Sequence, residues 1–207
     1  MTSPQRNRQG VSGPSDVSGA AGPSGAPGLS APRDGPAVPA GAIVLAPSID
    51  AQGPVDIDRA VDDALRCLPP APKGVTVLVN DPQRHTSTRP VLEALARRIP
   101  PGRIRIVVAC GTHTTPPPDQ QGPFEQSTCG ELPFVAMAWH DSRSDRLVPI
   151  GQGPPPAWRG HPWLLEADAI LAIGSVEPHY FAGFTGAHKT ATVGVASYAD
   201  VEANHAL

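Results

Sequence analysis

Apolar residues in this chain fall into runs of two kinds. Short, continuous runs occur at Ala42 to Ala46 (AIVLA), Val75 to Asn80 (VTVLVN), Arg103 to Cys110 (RIRIVVAC), Phe134 to His140 (FVAMAWH) and Ala169 to Gly174 (AILAIG). Runs of this length predict strands, and those without alternation, such as VTVLVN, strands buried on both faces as in a parallel sheet. The second kind repeats at three- and four-residue spacing. Ile57, Ala60, Val61, Ala64, Leu65 and Leu68 form one stripe after Asp56, a plausible N-cap, and predict a helix reaching Cys67. Val91, Leu92, Leu95 and Ile99 form another after Pro90, whose fixed φ suits a first helical turn.

Taken in order, Val75 to Cys110 reads strand, loop, helix, strand, a βαβ unit with a right-handed crossover. The fold class that follows is α/β, a Rossmann-like, mostly parallel sheet flanked by helices. From GTHTTPPP to Leu132 there is no usable pattern; a short strand is expected near Arg146 to Ile150, a Pro-rich loop around Trp158, and a helical turn near Trp163 to Glu166. A short helix is expected at Ala199 to Ala206. Residues 1–39 are nearly all Gly, Pro, Ser and Ala without an apolar face, so they predict a disordered leader before one domain at 40–207.

Composition narrows the function classes. The chain has 207 residues, 40% of them hydrophobic, which is enough for one core. Its formal net charge is -3 and no Lys/Arg cluster forms, which argues against nucleic-acid and membrane-surface partners. Nowhere do 18 apolar residues run together, and the start has no apolar signal core. Three cysteines, an odd number without paired spacing, point to a reducing cytoplasm.

The candidate chemistry lies after the strands. Asp81 and Arg84 follow the Val75 strand, His113 follows the Arg103 strand, and His179 follows the Ala169 strand. The carboxyl edge of an open α/β sheet is where ligands bind, so the three loops can converge. The segment from Gly174 to His205 adds Lys189 and His205, with Gly183, Thr185 and Gly186 in a loop whose backbone can approach a ligand closely. Loop histidines titrate near neutrality and suit acid/base work; an arginine fork takes a carboxylate in two bonds, which favours Arg84 over the more distant Arg89. His85, His140 and His161 read as surface or structural residues, Cys110 as strand core and Cys67 as helix core. A three-histidine zinc hydrolase using His113, His179 and His205 is an alternative, though no i, i+4 histidine pair supports it.

Four motifs in this order, DPQR at Asp81 to Arg84, ACGTH at Ala109 to His113, EPHYFAGFTGAHK at Glu177 to Lys189, and NH at Asn204 and His205, resemble the N-terminal domain of the nickel-pincer lactate racemases. That resemblance implies a nickel-pincer mononucleotide cofactor, a pyridinium ring carrying two sulfur-bearing arms around nickel. It implies Lys189 as the covalent anchor, His205 as the protein ligand to nickel, and His113 and His179 as the acid/base pair. By the same likeness Asp81 and Arg84 help set cofactor and substrate, and the loop with Gly183, Thr185 and Gly186 lies against the phosphate. The implied reaction is racemisation or epimerisation of a small 2-hydroxy acid by reversible hydride transfer, with the cofactor's biosynthetic enzymes as partners. The chain departs from the family where Ala187 and His188 replace paired small residues. It also ends at Leu207, whereas family members continue into a second domain; the expectation is a fragment, or an inactive cofactor- or partner-binding piece.

Overall fold

A computed structural model of the chain describes residues 55–134, 136–150, 158–179 and 183–206. The expected leader and the expected strand at Ala42 to Ala46 lie outside the described residues. Helix α1 spans Ile57–Arg66 and opens as its sequence requires, with the Asp56 carboxylate accepting the Arg59 N–H at 3.0 Å. Strand β1 (Val75–Asn80) follows, then α2 (Thr88–Ala96) and β2 (Ile104–Ala109). Helix α2 starts two residues before Pro90, which the first turn tolerates because its N–H groups have no helical partner.

Helix α3 (Pro118–Thr128) occupies the stretch in which the sequence shows no pattern. Gly122 and the internal Pro123 hide it, and Phe124 is its one large apolar side chain. That side chain fixes the helix by an edge-to-face contact with Trp139, the centroids 5.3 Å apart, while the Trp139 indole N–H donates to Glu125 at 2.8 Å. Strand β3 is Ala136–Trp139, shorter than expected. The short strand near Arg146 is β4 (Val148–Pro149), but it stands outside the main sheet, pairing antiparallel with β5 (Arg159–Gly160). A single 3-10 turn, Pro162–Leu164, precedes β6 (Ala169–Ala172). A two-residue ribbon, β7 (Pro178–His179) with β8 (Gly183–Phe184), leads to α4 (Ala187–Ala191), a 3-10 turn at Val193–Val195 and α5 (Tyr198–His205).

The main sheet is parallel throughout, in the order β3-β2-β1-β6. Strand β1 is the centre: Val75, Val77 and Val79 point to one face and join Leu92, Leu95, Ile104, Ile106 and Val61 in the larger core under the helices. Its alternate positions serve the other face, where Leu78 packs with Val107, Leu164 and Val195. That smaller cluster carries the segments that bring α4 and α5 to the sheet edge. Leu78 is fully buried. Leu78→Ala is therefore expected to cost about 2–5 kcal/mol of stability, measured by urea unfolding, where a loss below about 1 kcal/mol would show that this second face is not packed as described.

Candidate functional site

The register of the sheet sets the site. Asn80 is level with Ala109, and Leu78 with Ala172, so the loops after β1, β2 and β6 leave the same carboxyl edge side by side. One cleft at this edge is lined by Asp81, Arg84, His113, Thr185, Gly186, Lys189 and His205. Seven of the nine candidate residues thus meet in one place, and His179 reaches it through Lys189. Because β2 and β6 flank β1, the two candidate acid/base histidines come from opposite sides of the strand that presents Asp81 and Arg84.

Asp81 is 4% exposed, and its carboxylate lies 2.6 Å from His113 Nδ1. The other carboxylate oxygen accepts the Gln83 N–H at 3.1 Å, which fixes the Asp81 side chain in the turn. A buried carboxylate on one ring nitrogen sets the tautomer: Nδ1 carries a proton, and proton exchange with a ligand falls to Nε2. This is the orienting role an aspartate plays for a catalytic imidazole in any acid/base pair.

Arg84 turns toward Glu177, its Nη1 3.3 Å from Oε2. Glu177 is held in turn by the Ser175 hydroxyl, 2.8 Å from Oε1. Asn80, at the end of β1, donates to the Thr86 hydroxyl and accepts from Thr190 of α4, both at 2.7 Å, and Thr86 donates to Ser175 at 3.3 Å. This chain of short polar residues ties all three loops to α4. The sequence reading gave no role to Asn80, Ser175, Glu177 and Thr190, because those roles depend on strand order; an asparagine ending an apolar strand and a glutamate opening one of the motifs were the signals present.

The glycine loop has mixed parts. Gly183 has a φ of +77°, which explains the glycine, and it pairs with His179 across the β7–β8 ribbon. The Thr185 hydroxyl donates to the Ser175 carbonyl at 3.1 Å and accepts the Glu177 N–H at 3.0 Å, so it shapes the loop while its residue lines the cleft. A Cβ on Gly174 would lie 2.9 Å from the backbone nitrogen of Ala187 and from the Thr190 hydroxyl, so only glycine lets α4 dock on the end of β6. His188 is exposed beside Lys189. His205 lines the cleft from the last turn of α5, which is capped by the Ser197 hydroxyl accepting the Asp200 N–H at 3.2 Å. Among the described residues no three His, Cys, Asp or Glu side chains gather as a metal-binding group, so His113, His179 and His205 do not form a zinc triad. His140 is fully buried and bonds the Ala196 carbonyl through Nε2 at 2.9 Å, a structural role.

Lys189 Nζ lies 2.9 Å from His179 Nε2. Loss of water lowers the lysine's proton affinity, and the Arg84 charge lowers it further. His179 is likewise pushed down, first by loss of water and then by the Lys189, Arg84 and His205 charges. Two adjacent bases therefore compete for protons at the cleft. A lysine titrating lower in the fold than in the unfolded chain weakens the fold while charged, and that weakening fades as pH rises from the lowered value to the ordinary 10.5. Lys189→Met should accordingly be more stable than the parent at pH 7, and the gap should shrink as pH approaches 10.5. A gap in urea unfolding that stays constant with pH would contradict the described burial of the ammonium.

The family model described as the lactate racemase N-terminal domain matches residues 54–207. The chain is 29% identical over 153 residues to a lactate racemase of Lactiplantibacillus plantarum, covering 69% of this chain and 35% of that protein. It is 29% identical over 148 residues to a lactate racemase of Thermoanaerobacterium thermosaccharolyticum, covering 68% and 34%. The chain thus spans about a third of the length of these curated relatives. Its fold matches the solved structure of the lactate racemase apoprotein from T. thermosaccharolyticum with a TM-score of 0.57 at 25% identity, over 72% of this chain and 39% of that one. With its parallel sheet, its converging loops and a match that runs through every described segment, the chain belongs to the lactate racemase N-terminal domain family.

Proposed function

We propose that this chain provides the cofactor- and substrate-binding N-terminal part of a nickel-pincer-dependent racemase or epimerase of a small 2-hydroxy acid, working in the cytoplasm. The observation that carries the reading is that His113 lines a cleft with Arg84 and Lys189 while His179, from the opposite flank of β1, hydrogen-bonds Lys189 at its wall. Inverting a stereocentre requires proton exchange with the substrate hydroxyl whichever hand is bound, and a histidine on each side meets that need.

The donor set fits the cofactor. A metal held here would have the His205 imidazole at the cleft as a protein donor, which suits a nickel ion whose other donors would come from its own chelate. Lys189 would anchor the group, with Asp81 beside it and the loop carrying Gly183, Thr185 and Gly186 offering backbone N–H groups to a phosphate. When bound, the cofactor supplies the ring carbon that accepts and returns a hydride.

The chain's own residues supply the remainder. Arg84 receives the substrate carboxylate, exchanging its ion pair with Glu177 for one with the ligand. His113, held at Nδ1 by Asp81, exchanges the hydroxyl proton at Nε2. His179 does so from the other flank.

The test is intact mass and metal content of the chain produced together with the cofactor's biosynthetic enzymes. The expected result is one adduct on Lys189 with bound nickel, and its loss in Lys189→Arg, which keeps the charge but cannot take the same acyl group. An adduct mapped to another residue, or nickel bound equally well without one, would overturn the assignment.

A further inference from the structure

At the cleft wall Lys189, a nucleophile, touches His179, a base. Nζ and Nε2 are 2.9 Å apart, Lys189 is half-buried, and the Arg84 guanidinium adds a second cation nearby. An amine in such surroundings, partly stripped of water and near another cation, is shifted toward its neutral, nucleophilic form. An imidazole at hydrogen-bond distance is placed to take the proton that the amine must lose on attacking a carbonyl. In the same geometry the amine occupies the ring nitrogen that the racemase reading assigns to the substrate. We infer that His179 is the general base for acylation of Lys189, and that acylation is the event that releases His179 Nε2 to the substrate.

The step balances without an oxidant or reductant. Lys189 Nζ attacks the acyl carbon of a thioester or thiocarboxylic acid, the carbon–nitrogen bond forms and the bond from that carbon to its leaving group breaks. Of the two protons the ammonium sheds, one leaves to solvent by way of His179 and one departs with the leaving group. The product nitrogen is an amide or thioamide, no longer basic, so it loses its hold as a charged donor on His179. Catalytic competence is thereby tied to loading: an unloaded cleft keeps one of its two bases engaged by its own lysine. The inference rests on the racemase reading only for the identity of the natural acyl donor.

The sequence makes the test clean, because the chain has two lysines and the other, Lys73, is exposed. The probe is the acetyl thioester of N-acetylcysteamine, incubated with the 207-residue chain at neutral pH and no cofactor; peptide mapping gives the ratio of Lys189 to Lys73 acetylation. The expected ratio is about a hundredfold or more, the range of a positioned general base. His179→Gln keeps an acceptor for Nζ but takes no proton, so its ratio should fall at least about tenfold below the parent's. His179→Ala should fall likewise and regain the Lys189 preference when imidazole is added, which a misfolded chain would not do. A ratio near one in the parent, an undiminished ratio in His179→Gln, or a failure of imidazole to restore it would each overturn the inference. Cofactor adduct formation is read separately: an adduct on Lys189 without thioester preference leaves the racemase reading standing and removes this one.

Discussion

At Gly174 the backbone leaving β6 meets the first turn of α4 so closely that a Cβ would lie 2.9 Å from two of its atoms. The site depends on that approach. It seats α4 on the sheet edge, where Thr190 can bond Asn80 at the end of β1 and Lys189 can reach His179 on the ribbon that follows β6. A five-residue helix has little stability of its own, so its position comes from these contacts and from the Val193–Val195 turn packed on Leu78 and Val107. The buried second face of the sheet and the chemistry at its edge are therefore one construction.

Within that construction each reactive group is held by a partner that also restrains it. Asp81 fixes the ring of His113, Glu177 occupies Arg84, and Lys189 occupies His179. The lysine and the second histidine both bind protons less readily than in water, so the cleft stores unfavourable electrostatics that the valine-rich core of β1 and β2 offsets. On the proposed reading, a ligand that brings a carboxylate to Arg84 and an acyl carbon to Lys189 would exchange these internal pairs for its own.

Much of this was legible in the sequence because burial on both faces leaves an unmistakable run: VTVLVN and RIRIVVAC became β1 and β2, and AILAIG became β6 with its last two residues given to the loop. The stripe from Ile57 and the Asp56 cap were equally plain. Helix α3 was not, since Gly122 and Pro123 interrupt it and a single Phe124 anchors it. The residues that line the cleft could be picked out mainly because they follow strands, and the resemblance suggests roles for them. Their pairings were beyond reach: Asp81 with His113 spans two loops, and Glu177 with Arg84 requires β6 beside β1, an order that no local pattern encodes. Gly174, Asn80 and Thr190 were missed for the same reason.

Two imidazole contacts are central: a carboxylate at Nδ1 of His113 and an amine at Nε2 of His179. Long-range nitrogen–proton NMR of the histidine rings, assigned by single substitutions, reads those nitrogens directly. The expected result is a protonated Nδ1 on both rings at neutral pH, with His179 Nε2 acting as an acceptor. A neutral ring protonated at Nε2 in either residue would contradict it.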